Sequence, residues 1–139
     1  MNDVMQFRGE YAFLSNFAKT PVKYDGVVYP TVENAFQAAK CLDASERVPF
    51  ESCSPTDAKR LGRRVKLRTD WEQVKLDIMY ELVRDKFARN PRLAERLIAT
   101  GDAELVEGNA WSDTFWGVCH GRGQNHLGRI LMCVRGELK

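Results

Sequence analysis

Histidine and cysteine, the usual zinc ligands, are few in this chain, and their spacing does not match that of a zinc site. There are two histidines, and the four cysteines form no Cys-x-x-Cys pair, so we expect no metal and no cofactor. The first residues, MNDVMQFRGEY, also lack the apolar core of a signal peptide. We therefore expect a cytoplasmic protein whose cysteines stay reduced and mostly buried. These are Cys41, Cys53, Cys119 and Cys133.

Long apolar runs and a strong net charge are also missing. No apolar run approaches the roughly 20 residues that cross a bilayer, so we expect no membrane partner. The 21 basic and 19 acidic residues leave a formal charge of +2, too small to hold nucleic acid by bulk electrostatics. Local basic clusters at residues 59–64 and 66–68 either contact a nucleic-acid backbone or are simply solvated helix faces. The length of 139 residues suits a single domain, which we expect to span residues 1–139.

Helix-forming segments dominate the chain after its first 30 residues. Between Met5 and Pro30, short runs rich in Phe, Tyr and Val predict short strands, with a hairpin turn at residues 24–26. Thr31 is predicted to cap a helix, and this helix is expected to span about Val32 to Leu42. Further helices are predicted after Ser54, at Trp71, at Pro91 and after Asn125, and Asn125 is predicted to cap the last of them. The predicted fold is α+β, helix-dominated, with a few short N-terminal β-strands.

The first predicted helix carries a lane of polar residues. On a helix, Glu33 and Lys40 would lie on nearly the same face, about 10 Å apart along the axis, with Gln37 between them. This lane either holds a ribose-sized group or is a solvated helix face. A lysine that loses its proton can form a Schiff base with a masked aldehyde, while a nearby carboxylate moves protons.

The tryptophans are notable for their placement. Trp111 and Trp116 flank Asp113 in a segment that is neither helical nor alternating in hydropathy. Such a segment is typical of a loop that presents aromatic faces to a base or ribose, with core packing as the alternative. Asp113 either accepts hydrogen bonds from ribose hydroxyls or assists Glu33, and the alternative is an aspartate that stabilises a turn or caps a helix. Trp71 opens a long predicted helix and is either a core residue or part of a pocket wall.

A glycine-rich run, GRGQNHLG, leads into the last predicted helix. His126 occupies the place of the third glycine in a dinucleotide-binding motif, so that motif is excluded. Backbone N–H groups around Gly121, Gly123 and Asn125 either face a phosphate or belong to a mobile turn without a ligand.

Four motifs occur in this order: FRGEYAFLSNF, YPTVENAFQAAK, DWEQVKLDIMYELVRDKF and LVEGNAWSDTFWGVCHGRGQNHLGRILMCVR. Together, from about Phe7 to Arg135, they resemble the NADAR family, whose fold is known as YbiA-like. Members of that family are N-glycosidases, some linked to phosphorylated riboflavin-pathway intermediates and others removing ADP-ribose from guanine in nucleic acid. The resemblance therefore implies hydrolysis at the anomeric carbon of a phosphorylated ribose.

The resemblance also assigns roles to residues. The lysine that forms an imine with opened ribose falls on Lys40, and the acid–base glutamate falls on Glu33; Asp113 is the third catalytic candidate. The family's LSNF motif favours substrate binding over turn formation in the N-terminal segment. The predicted substrate-binding residues are Arg8, Ser15, Asn16, Gln37, Trp71, Trp111, Trp116, Gly121, Gly123 and Asn125.

The predicted function is that of an N-glycosidase, similar to an ADP-ribosylglycohydrolase, which removes ADP-ribose from guanine of nucleic acid through a lysine Schiff base. Two alternatives stay open: hydrolysis of phosphorylated riboflavin-pathway intermediates, and a non-catalytic module that binds ADP-ribose or a nucleotide. The basic clusters favour nucleic acid weakly and do not separate DNA from RNA. A link to a toxin–antitoxin system is a further implication of the resemblance.

Overall fold

The computed structural model describes residues 2–139. The chain divides into two compact units. The terminal unit comprises the N-terminal segment up to Ser15 together with Asn90–Lys139, and the central unit comprises Asn16–Arg89. The expectation of a single domain stays a prediction.

The central unit consists of a β-hairpin followed by helices. Strands β1 (Val22–Tyr24) and β2 (Val27–Tyr29) pair antiparallel. The turn residues Asp25 and Gly26 have φ of 49° and 83°, the left-handed geometry of tight turns whose twist suits a hairpin. The helices are α1 (Val32–Ala38), α2 (Ala44–Arg47), α3 (Pro55–Gly62) and α4 (Trp71–Arg89), with a 3-10 helix at Val48–Glu51.

Helix α1 lies in the core of the central unit, because all 7 of its residues are buried. Thr31 caps it by accepting a hydrogen bond from the amide of Asn34, which satisfies one of the unpaired N–H groups of the first turn. The side chain of Asn34 donates to the carbonyl oxygens of Phe50 and Cys53, at 3.0 and 2.8 Å. These bonds fasten α1 to the segment between α2 and α3.

The terminal unit also mixes helices with short strands. Its elements are a 3-10 helix (Gly9–Leu14), α5 (Pro91–Ala99), β3 (Gly108–Asn109), β4 (Val118–Cys119) and α6 (His126–Leu138). Buried Arg135 on α6 donates to the Thr100 hydroxyl and the Ala103 carbonyl, at 2.9 and 2.8 Å, which joins α6 to the end of α5. Arg96 on α5 lies 4.1 Å from the ring centroid of Phe13, so a cation–π contact holds the 3-10 helix against α5.

The predicted α+β class is confirmed, as are the hairpin turn and the later helices. Two differences concern strands: residues 9–14 form a 3-10 helix instead of a strand, and β3 pairs with β4 far from the N-terminus. The third concerns α1, which ends at Ala38 instead of Leu42. Its last turn tightens because the amides of Lys40 and Cys41 bond to carbonyls only three residues back.

Two further expectations concern cysteines and membranes. Cys41 and Cys119 are buried, but Cys53 is half-buried and Cys133 is exposed, so the predicted burial holds for only part of the set. Among residues 2–139, every helix is too short or too polar to span a bilayer.

Candidate active site

Glu33 lies in the first turn of α1, with its side chain buried. Its backbone amide donates to the carbonyl oxygen of Asn16 at 3.1 Å. One turn later, Gln37 donates its Nε2 to Glu33 Oε2 at 2.6 Å. Because a hydrogen bond to a carboxylate is short and directional, the neighbour on the same helix holds the carboxyl group of Glu33 in one orientation.

The polar lane predicted along this helix is buried. Glu33 is 9% exposed and Gln37 is 6% exposed, so the alternative of a solvated helix face is wrong. Burying polar groups is unfavourable unless they are hydrogen-bonded, and even then the net gain in stability is small. The lane therefore fits a functional site better than a stabilising surface.

Lys40 lies in the turn that follows α1. Its side chain is half-buried, and Nζ donates to the carbonyl oxygen of Gly62 at 3.4 Å. Burial lowers the pKa of Lys40 below its ordinary value; the negative charge of Glu33 opposes this effect, and the positive charge of Arg63 adds to it. At a given pH, more of this amine is neutral than in an exposed lysine, and the neutral amine is the form that attacks an imine or carbonyl carbon.

Arg68 fixes the turn that carries Lys40. Its Nη1 donates to the carbonyl oxygen of Ala39 at 3.2 Å. The same guanidinium contacts both carboxylate oxygens of Asp70, at 2.6 and 3.0 Å, an arrangement that sets its plane. Sequence reasoning missed this residue, because an arginine in a basic run carries no signal of its partner.

Two predicted substrate contacts lie around α1. Trp71 is 6% exposed, and its ring centroid is 4.9 Å from that of Phe36, so it belongs to the core beside α1. Asn16 holds the start of α1 through its carbonyl oxygen, while its side-chain amide makes a long contact of 3.5 Å with Met79 Sδ. For both residues, contact with substrate stays a prediction.

In the terminal unit, Asn109 organises the loop that carries the other two tryptophans. Its Oδ1 accepts hydrogen bonds from the amides of Trp111 and Asp113, at 3.2 and 3.1 Å. Its Nδ2 donates to the carbonyl oxygen of Asp113 at 2.9 Å. Sequence reasoning missed Asn109, although a side chain of this type that bonds its own following backbone is typical of a turn.

Asp113 has a turn role in this loop. Its Oδ1 accepts hydrogen bonds from the amides of Phe115 and Trp116, at 3.1 and 2.9 Å. This is the geometry of an Asx turn, in which the carboxylate stabilises the backbone that follows it. The turn alternative accounts for this aspartate, and its catalytic role stays a prediction.

The two tryptophans of the loop differ in exposure. Trp111 is 52% exposed, whereas Trp116 is half-buried and packs edge-on against Phe115, with ring centroids 4.8 Å apart. His126 lies against the same Phe115 ring at 4.5 Å. Trp111 therefore presents its ring to solvent, and Trp116 is held within an aromatic cluster.

Five backbone amides in the segment 121–127 are hydrogen-bonded within the protein. The amides of residues 124–127 donate to the carbonyl oxygens of residues 114–117, and the amide of Arg122 donates to the carbonyl oxygen of Cys119. Gly121 and Gly123 have φ of 76° and 148°, so glycine serves the backbone conformation there. Their binding to phosphate stays a prediction.

Asn125 was predicted to cap α6 and to bind substrate. It adopts a left-handed conformation with φ of 54°, and its side chain makes no cap hydrogen bond. Instead, Oδ1 accepts from the amide of Glu107 and Nδ2 donates to the carbonyl oxygen of Leu105, at 3.0 and 2.9 Å. Asn125 thus occupies the predicted cap position, but its side chain does not cap the helix and instead joins the start of α6 to the chain before β3.

Arg8 and Ser15 lie at the two ends of the 3-10 helix. Arg8 is exposed, and its carbonyl oxygen accepts from the amide of Tyr11 at 3.0 Å. The amide of Ser15 donates to the carbonyl oxygen of Ala12 at 3.0 Å. Both residues therefore take part in turns, which was the alternative to substrate binding. Their contact with phosphate or ribose stays a prediction.

The structure thus brings Glu33, Gln37 and Lys40 together within the central unit and joins Trp111, Asp113 and Trp116 in one loop of the terminal unit. No group of three or more His, Cys, Asp or Glu residues suited to a metal ion occurs within residues 2–139.

Scaffold and site together define a class of protein: an α+β fold in which a buried glutamate and a lysine of lowered pKa lie on one short helix and the turn after it. The NADAR domain model matches residues 5–139. The chain belongs to the NADAR family, and the resemblance seen in its four motifs is confirmed.

Known relatives cover most of the chain. It is 44% identical over 133 residues to N-glycosidase YbiA of Escherichia coli, covering 93% of this chain and 82% of the relative. It is 40% identical over 134 residues to a riboflavin biosynthesis protein of Vibrio vulnificus, covering 93% of this chain but 36% of that protein. The NMR structure of Escherichia coli YbiA has a similar fold, with a TM-score of 0.86 and 40% identity, covering 99% of this chain and 86% of that chain.

Proposed function

We propose that this protein is an N-glycosidase, which hydrolyses the bond between a nitrogen atom and the anomeric carbon, C1, of a phosphorylated ribose. The observation that carries the proposal is the half-buried amine of Lys40, with its pKa lowered by burial, on the turn after the helix that holds the buried Glu33. The name N-glycosidase carried by the YbiA relative supports the reaction class.

The first step is opening of the ribose ring. Carbon C1 is bonded to both the ring oxygen and the base nitrogen, so a proton delivered to the ring oxygen by Glu33 breaks the C1–O bond. The lone pair of the nitrogen then forms an imine with C1. Gln37 keeps the carboxyl group of Glu33 in a fixed orientation for this transfer.

The second step exchanges one imine for another. The neutral amine of Lys40 attacks C1, and the base leaves with a proton on its nitrogen, so that C1 is now joined to Nζ. Water then adds to C1, and the adduct breaks down to the free sugar and the regenerated lysine. The net reaction consumes one water and releases the base and the phosphorylated ribose.

As substrate we propose ADP-ribose attached to guanine in nucleic acid. The support is a basic segment that begins beside Lys40: Gly62, whose carbonyl oxygen accepts from Nζ, is followed by the exposed residues Arg63, Arg64 and Lys66. Exposed basic side chains in a row are suited to phosphate contacts along a nucleic-acid backbone.

A second candidate substrate is a phosphorylated intermediate of the riboflavin pathway. The observation that favours it is the name of the Vibrio vulnificus relative, a riboflavin biosynthesis protein. The same chemistry would apply, since such an intermediate also carries a nitrogen on C1 of a phosphorylated ribose.

The test is incubation with guanine-ADP-ribosylated DNA and RNA and, separately, with phosphorylated riboflavin intermediates, with release of the sugar measured by mass spectrometry. The parent and Lys19→Ala, which changes an exposed lysine of the central unit, should release sugar, and Lys40→Ala should release none. Borohydride added during turnover should trap a sugar on Lys40. Release from the riboflavin compounds alone would select the second substrate.

A full-activity Lys40→Ala variant would overturn the lysine mechanism. Calorimetry showing tight binding of ADP-ribose, together with hydrolysis of none of these substrates, would identify a non-catalytic binding module instead.

A further inference from the structure

Gly62, the last residue of α3, contacts two polar side chains of the candidate site, those of Lys40 and Gln37. Its carbonyl oxygen accepts the hydrogen bond from Lys40 Nζ at 3.4 Å. Its Cα faces the side chain of Gln37, since a Cβ at position 62 would collide with Gln37 Oε1 and lie 2.7 Å from its Cδ. The carboxamide of Gln37 therefore occupies the space that any side chain at position 62 would need.

The backbone gives no other reason for glycine at this position. Although Gly62 is the last residue of α3, its φ is not in the left-handed region, so alanine fits this backbone and is favoured over glycine by lowering the entropy of the unfolded chain. Gly136 in α6 offers a contrast, because a Cβ there would meet nothing within 4 Å. The absence of a side chain at position 62 thus serves the packing against Gln37.

The carboxamide of Gln37 has little freedom. Its Nε2 donates to Glu33, while its Oε1 is buried and has no hydrogen-bond partner. A buried acceptor without a partner is unfavourable, so the amide is held in place by packing as well as by its one hydrogen bond. The contact with Gly62 is the packing that the structure shows for Oε1.

We infer that Gly62 is a positioning residue of this site, which leaves room for the Gln37 carboxamide to hold Glu33 and, through its own carbonyl oxygen, holds the amine of Lys40. This role rests on the proposed function, because it concerns the same carboxylate and amine. A side chain at position 62 pushes Gln37 off Glu33 and moves the proton donor relative to C1.

The test uses Gly62→Ala, Gln37→Ala, the double variant, and Gly136→Ala as the matched control. Gly62→Ala should lower kcat by about 100-fold, as misplaced catalytic groups do, with a smaller change in KM because Glu33 acts in the chemical step. Gln37→Ala should lower kcat similarly. The double variant should be no slower than Gln37→Ala, since the collision is gone, and Gly136→Ala should match the parent.

A readout without substrate separates this inference from the proposed function. The bond from Gln37 Nε2 to the carboxylate of Glu33 should shift the side-chain NH2 protons of Gln37 in the NMR spectrum. Glu33→Gln identifies that shift, and Gly62→Ala should abolish it, whereas Gly136→Ala should leave it in place. If no substrate is hydrolysed by the parent, the proposed function fails and this spectrum still decides the role of Gly62.

Folding is checked by thermal unfolding of all four variants. If Gly62→Ala unfolds at a lower temperature, the collision predicts that Gln37→Ala restores it in the double variant. Unchanged Gln37 resonances in Gly62→Ala, full activity of that variant, or additive losses in the double variant would each overturn the inference.

Discussion

Arg68 and Lys40 are joined through the backbone: the amide of Arg68 donates to the carbonyl oxygen of Lys40 at 2.9 Å. The guanidinium of Arg68 also donates to the carbonyl oxygen of Ala39, so Arg68 holds the carbonyl groups of both Ala39 and Lys40. The place of the reactive amine is set by a residue outside the helix motif that carries it.

Replacing the side chain of Arg68 should slow the reaction without unfolding the protein. Arg68→Gln keeps the backbone bond to Lys40 but loses the contacts to Ala39 and Asp70, so we expect kcat to fall by about 10-fold to 100-fold. Steady-state kinetics and the rate of borohydride trapping measure this. Arg84→Gln, an exposed change on α4, is the control, and equal kcat for the two variants would contradict the role of Arg68.

The pH dependence of activity should report the charges around Lys40. Burial and Arg63 lower the pKa of Lys40 from its ordinary value of 10.5, against the opposing charge of Glu33. The rising limb of kcat/KM with pH should therefore lie below pH 10.5. Arg63→Ala removes a nearby cation, raises the pKa of Lys40, and should move that limb to higher pH.

The control for this shift is Arg64→Ala, which changes the next exposed arginine. A phosphorylated small-molecule substrate should be used, so that loss of nucleic-acid contacts does not enter the measurement. A shift of the same size in both variants would show that general surface charge, and not Arg63, tunes the lysine.

Asp113 offers a test of turn against catalysis. Its Oδ1 accepts two backbone hydrogen bonds, and Asp113→Asn keeps that oxygen, whereas Asp113→Ala loses it. If the turn role is the whole role, Asp113→Ala should cost about 1–2 kcal/mol of stability, as removal of similar caps does, and Asp113→Asn should keep both stability and kcat. A large loss of kcat in a stable Asp113→Asn protein would restore Asp113 as a catalytic residue.

Lys86 on α4 should make the stability of the protein depend on pH. It is 1% exposed, and burial lowers its pKa from 10.5 to about 7. Between these values the unfolded chain binds a proton that the folded chain does not, so the free energy of unfolding rises with pH. This contribution is at most about 1.4 kcal/mol per pH unit. Below the folded pKa both states are protonated, and the contribution no longer changes.

Urea unfolding at several pH values measures this contribution as a difference between variants. Lys86→Met should show a smaller rise in stability between about pH 7 and about pH 9 than the parent. Lys19→Met, at an exposed position, should keep the rise of the parent. Identical pH slopes for the parent and Lys86→Met would show that this lysine does not titrate in the expected range.

The elements that local signals determine were predictable. Thr31 caps α1, Ser54 and Pro55 start α3, and Pro91 separates α4 from α5, because each signal acts on a backbone group a few residues away. The end of α1 was not predictable. No glycine or proline stops VENAFQAAKCL, and the turn after Ala38 is held by a residue much later in the sequence.

The candidate catalytic residues were predictable from the sequence, but the residues that hold them in position were not. Spacing placed Glu33 and Lys40 near one another, but the sequence does not show that α3 packs on α1 or that Gly62 lies against Gln37. Around the glycine-rich run, the sequence likewise does not show that the amides of residues 124–127 bond to the carbonyl groups of residues 114–117. Contacts between distant segments decide which polar groups remain available.

The pairing of residues 114–117 with residues 124–127 has a consequence for binding. It fixes the backbone around Trp116 when the protein folds, so the entropy of ordering that segment is lost before any ligand arrives. A ligand that stacks on Trp116, as the sequence predicts, should meet a preorganised ring, so its affinity should not be reduced by the need to order the loop.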